Sequence, residues 1–137
     1  MKRISIEAEC KGTTIAELIP EIIWELKRRD RKSRPVYKAL IKQAEALTDY
    51  EVDEAQQVFD KLVQAMDDVG PAYFYFGPYG GGYDYIIDRS SLLDIPSYGD
   101  EPPKGYRGEW VYINDHGNTT LYYRNSKGKD RELWAIV

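Results

Sequence analysis

The hydrophobic period of this chain changes once, at Gly70–Pro71, and that change limits the fold more than any other feature. Before it, apolar residues recur three and four apart, as on an amphipathic helix. After it they alternate in short runs between glycine-rich turns, as in half-buried strands. A helix-rich first half and an antiparallel β second half predict an α+β fold, with helices packed on one face of a sheet or meander. At 137 residues a single domain over residues 1–137 is expected, because two cores of half that size would each be marginal.

Within the first half, residues 3–10 place Ile4, Ile6, Ala8 and Cys10 on one side and Ser5, Glu7 and Glu9 on the other, predicting a leading strand with one wet face. Thr14 and Glu17 have the spacing of a capping box, and Ile15, Leu18, Ile19, Ile22, Ile23 and Leu26 form the stripe of the helix it opens. Pro20 either kinks this helix or stands in its true first turn. A second helix is expected over 33–47, with Val36, Leu40, Ala44 and Leu47 on one side. Thr48 and Glu51 repeat the capping-box spacing before a third helix that runs to about Val69. Its Val52, Ala55, Phe59, Leu62, Met66 and Val69 make a heptad seam, which calls for an antiparallel partner helix from this chain or from a second copy.

In the second half, the runs 72–76 and 83–87 flank a loop at 77–82 and predict a hairpin. Residues 89–108 show no period, which marks a functional loop, an arm or disorder. The remainder predicts a three-stranded meander over 109–113, 119–124 and 131–137, with turns at 114–118 and 125–130.

Charge and composition narrow the function classes. A net charge of −4 argues against general nucleic-acid binding. No apolar run approaches the roughly 18 residues of a membrane span, and the first ten residues hold no signal-peptide core, so a soluble intracellular protein is expected. Cys10 and His116 are the sole residues of their types. An internal disulfide and a Cys/His zinc site are thereby excluded, and neither metal nor cofactor is expected. The charges are unevenly spread: six of the eight residues 27–34 are basic, whereas 48–70 carries seven acids and only Lys61 in return.

Trp24 is the most informative residue. It lies nearly opposite the apolar stripe of the first helix, beside Lys27, Arg28 and Arg31, with Arg28 one turn away. Either a sheet or a neighbouring subunit buries it, or Trp24 and Arg28 clamp a nucleotide by stacking and a phosphate contact. The loop at 77–82 sets glycines among aromatics without a Walker pattern. It makes a tight hairpin, or lets Tyr79 and Tyr83 stack on a base. Arg89, Ser90 and Arg107 of the aperiodic segment are further candidates for an anion. Asn114 and His116, also candidates for ligand contact, belong to a run of turn residues, and adjacent Asp115 and His116 are poor geometry for a catalytic dyad. No catalytic residue is assigned. Asp67 and Asp68, at the electrostatically unfavourable end of the third helix, either face solvent or meet a basic partner.

The strings "WVYINDHGNTTLYYR…ELWAIV" and "YFGPYGGGYDY" resemble small proteins of tailed bacteriophages, with NDHGN-T-L-Y as the specific part. The leading strand followed by a helix carrying Trp24 and Arg28 is similar to the phage Thoeris anti-defence sponges. That resemblance implies a homo-oligomer in the host cytoplasm that captures a cyclic nucleotide immune signal without cleaving it. Two other expectations stay open: an anti-CRISPR-like inhibitor that binds a host defence protein, and a small phosphodiesterase using His116.

Overall fold

A computed structural model describes residues 5–136. Among them the chain forms three α-helices and seven strands in the α+β arrangement that the change of period predicts. They fall into two units, Glu7–Ile87 and the segment from Asp88 onward with Ser5 and Ile6.

The first unit is built on strand β1 (Cys10–Lys11), helices α1 (Ile15–Arg29), α2 (Pro35–Glu45) and α3 (Asp53–Asp68), and the hairpin β2 (Phe74–Tyr79) and β3 (Gly82–Ile87). Thr14 caps α1 as its spacing predicts, accepting the Glu17 N–H at 3.2 Å. The helix starts at Ile15 and continues through Pro20, which has no N–H to give the Ala16 carbonyl. Its stripe is buried, with Ile22 and Leu26 fully enclosed. The core continues through Val58, Leu62 and Met66 of α3 to Phe76 and Tyr85 of the hairpin.

Three expectations for the helices and the leading strand of this unit are corrected. The second capping box is not used: α3 begins at Asp53, and the residue before it, Val52, makes no side-chain cap bond. Asp49 instead accepts the Glu51 N–H at 3.0 Å, a local turn that competes with helix initiation. The inward face of α2 is carried by Tyr37, Ile41 and Ala44, while Val36 is 67% exposed. Pro35 starts that helix, and Tyr37 hydrogen-bonds Asp68 from its first turn. The third correction concerns the leading strand. Residues 3 and 4 lie outside the described residues, and the ladder is limited to Cys10 and Lys11. Burial still alternates at Ala8 and Cys10, but the Ala8 N–H goes to Asp84 Oδ1 at 2.8 Å rather than to a strand.

The heptad seam is filled from within the chain. Both α1 and α2 pack on α3, and the Tyr37–Asp68 bond joins the start of α2 to the end of α3, so these two helices run antiparallel. The hairpin is tighter than a six-residue loop. Gly77, Pro78 and Tyr79 belong to β2, and the turn is Gly80–Gly81 alone, both at positive φ. β2 is an edge strand, where Pro78 costs no ladder bond to a further neighbour. A Cβ at Gly82 would lie 1.9 Å from the Cys10 carbonyl oxygen, so only glycine lets β1 pair there.

In the second unit, the predicted meander is β5 (Gly108–Ile113), β6 (Thr119–Arg124) and β7 (Asp130–Ile136). The aperiodic segment supplies a 3₁₀ turn (Arg89–Leu92) and a short strand β4 (Ser97–Tyr98), which pairs parallel with β5 at the edge. The two hairpin turns are built alike. Asn114 and Asn125 each accept two backbone N–H groups on Oδ1, and a glycine at positive φ follows three residues later.

Candidate functional site

The outward face of α1 carries the candidate site. Because the apolar stripe turns Ile22 and Leu26 inward, position 24 faces away, and Trp24 is 62% exposed. It is therefore not covered by a sheet within this chain. The Arg28 guanidinium stands 5.3 Å from the centre of the indole, close enough for a cation–π contact. A carboxylate that sequence reading overlooked holds it there. Glu25 is buried, and both its oxygens accept from Arg28 Nη2, at 2.9 and 3.2 Å. Among the described residues nothing hydrogen-bonds the Nη1 and Nε edge of Arg28, which remains available to a ligand. The Glu25–Arg28 and Glu25–Arg29 spacings of three and four were the legible signal for this arrangement.

Arg29 turns the other way and is structural. Its guanidinium lies 4.5 Å over the Tyr85 ring, donates to the Glu7 carbonyl at 2.7 Å and stands 3.5 Å from Glu25. Two arginines thus share one carboxylate. Tyr85 donates its hydroxyl to the Met66 carbonyl at 2.6 Å, and burial pushes its pKa up, so it stays a neutral core residue. Burial likewise pushes the Cys10 thiol up to about 12, which leaves it protonated rather than nucleophilic.

The structure brings Trp24 and Arg28 together but separates the loop tyrosines. Tyr83 pairs with Pro78 and Tyr79 with Gly82, so the two rings leave opposite faces of the hairpin. Tyr83 is packed between Phe59 and Phe76, with ring centres 5.3 and 5.6 Å away, whereas Tyr79 is 66% exposed. They cannot sandwich one base. Arg31 is exposed just beyond the end of α1.

The other candidates lie in the second unit and are largely committed to local structure. Ser90 and Ser91 donate to Asp88, holding its carboxyl below the usual range and capping the 3₁₀ turn that contains Arg89. Arg107 Nη1 donates to the Tyr106 carbonyl at 2.7 Å. Asn114 organises the turn in which His116 donates only its backbone N–H. Asp67 and Asp68 are tied into the fold, although Asp68 stays exposed. Asp67 accepts the Phe76 N–H at 2.5 Å and Asp68 the Tyr37 hydroxyl at 3.3 Å, tying the end of α3 to β2 and α2.

Among the described residues, no group of three or more His, Cys, Asp or Glu side chains is arranged to hold a metal. No helix there is long and apolar enough to cross a membrane. No family model, curated protein or solved structure matches the chain.

Proposed function

We propose that this chain is a binding protein that captures a small anionic nucleotide without cleaving it, its base against Trp24 and its anionic group on the free edge of Arg28. The exposed Trp24 beside a guanidinium fixed by Glu25 carries the reading. An aromatic surface left in water costs solvation free energy that a stacked base recovers. A guanidinium already oriented loses little entropy when it takes a phosphate. With the resemblance to anti-defence sponges, this reading makes the protein a phage counter-defence factor acting on a cyclic nucleotide signal in the host cytoplasm. A homo-oligomer, which that resemblance also implies, would use a surface other than the occupied α3 seam.

One observation favours a second reading. Asp53, Glu54 and Asp60 are exposed on α3. A negative helix face of this kind suits an anti-CRISPR-like inhibitor that occupies the nucleic-acid channel of a host defence nuclease.

The test is incubation with a panel of cyclic mono- and dinucleotides, removal of free nucleotide, heat denaturation and chromatography. Recovery of an intact nucleotide is the expected result. Recovery of a cleaved one would overturn the reading in favour of a phosphodiesterase, and no uptake would favour the protein inhibitor.

A further inference from the structure

Where the end of α1 meets α2, the first unit holds a cavity of about 310 Å³ whose wall includes Lys27, Asp30, Lys38, Ile41, Lys42 and Glu45. That volume is at the lower end of the range for small-molecule pockets. The charges in the wall do not cancel. Lys27 Nζ stands 3.6 Å from Glu45 Oε2, and Arg34 Nε stands 3.8 Å from Asp30 Oδ1, a buried oxygen with no hydrogen-bond partner among the described residues, so each carboxylate has a cation nearby. Lys38 and Lys42 are left over. They lie four apart on α2, on the same side of the helix, and among the described residues neither has a carboxylate within 4 Å. Like charges at that spacing repel and weaken a helix unless something between them neutralises both.

We propose that this cavity binds a phosphoryl group, held between the ammonium groups of Lys38 and Lys42. A phosphoryl dianion or a diphosphate matches two adjacent ammonium groups, whereas a single carboxylate neutralises only one. Lys27, which closes the cavity on the α1 side, stands three residues after Trp24 and therefore on the same side of that helix. In this proposal a nucleotide with two phosphoryl groups, stacked on Trp24, places one on Arg28 and the other past Lys27 in this pocket. The identification of the ligand as a nucleotide rests on the Trp24 reading, but the preference of the pocket for a phosphoryl group rests on its own lysines.

Calorimetric titration with pyrophosphate and with ADP tests the two readings separately, using wild type, Trp24→Ala and the double variant K38Q/K42Q. Both lysines are exposed and removing their repulsion does not strain α2, so the double variant should melt no lower than wild type. The expected result is at least a tenfold loss of affinity for both probes in the double variant. Trp24→Ala should weaken ADP alone, and K38R/K42R should keep most of the pyrophosphate affinity. Pyrophosphate that fails to bind wild type, or binds the double variant equally well, overturns the pocket, even if Trp24→Ala still weakens ADP. Loss of pyrophosphate in the double variant with ADP unchanged in Trp24→Ala supports the pocket and overturns the Trp24 reading.

Discussion

Among the described residues, two tryptophan–arginine pairs look alike and serve different ends. In the first unit Arg28 stands 5.3 Å from the Trp24 ring; in the second Arg124 stands 5.8 Å from Trp110. Trp110, however, is only 4% exposed, stacked on Tyr122 at 4.8 Å and flanked by Tyr98. A single carboxylate cross-links that pair: Asp130 accepts the Trp110 indole N–H at 3.0 Å and two Arg124 nitrogens at 2.9 and 2.7 Å. Every strong donor of the second pair that faces Asp130 is satisfied within the fold. In the first pair the carboxylate is buried beneath the arginine and engages one nitrogen, while the indole stays in water. A stacked cation and ring therefore indicate a ligand site only where the ring is uncovered and the guanidinium retains a free edge.

The sharpest way to break this contrast is to remove each indole. Trp110→Ala should cost about 3–5 kcal/mol, as expected for a buried aromatic. Trp24→Ala should change stability by no more than about 0.5 kcal/mol, as at an exposed position. Thermal melts of the two variants check this, and equal losses would make Trp24 a packing residue and remove the basis of the proposed site.

A smaller effect is expected at Asp130. Hydrogen bonds from Arg124 and Trp110 hold its carboxyl below the usual value in the folded state. A depressed folded pKa contributes stability that is fully present above the unfolded value of about 3.9 and is lost as pH falls through the folded value. Asp130→Asn should cost about 2 kcal/mol at neutral pH, as for hydrogen bonds to a charged group. It should also flatten the decline in stability below about pH 4. Urea titrations of both proteins across that range would show it, and parallel curves would mean that Asp130 does not stiffen the second pair.

The smallest effect belongs to His116. Its turn matches the one in which Lys127 holds the equivalent place after Asn125, so its side chain is not required by the backbone bonds. His116→Ala should change stability by at most about 0.5 kcal/mol and leave nucleotide capture intact. Loss of activity in the folded variant would restore a catalytic role to this residue.

Much of the secondary structure was legible because its causes are short-range. The Thr14 cap, the α1 stripe and the asparagine–glycine turns each depend on residues within about one helical turn or one hairpin loop. The failures have equally local reasons. At Thr48 the spacing of a capping box was present, but Asp49 captured the Glu51 N–H first. At 77–82 a run of glycines looked like a loop, although only Gly80–Gly81 turns and Gly82 is needed for the approach of β1.

The sequence by itself determined the order of helices and strands, the exclusion of a disulfide or zinc framework, and the direction of Trp24 away from the apolar stripe. Periodicity carries that much, since it sets which side of an element is apolar. Only the tertiary structure decided what each polar group meets. It placed Tyr79 and Tyr83 on opposite faces, matched Asp67 to the Phe76 N–H and Asp68 to Tyr37, and divided Glu25 between Arg28 and Arg29. Among the described residues it also left Lys38 and Lys42 without a carboxylate partner beside a cavity. Hydrogen bonds and ion pairs act over a few ångströms between segments far apart in the chain, so their partners are fixed by the packing of the elements and not by the spacing of residues along any one of them.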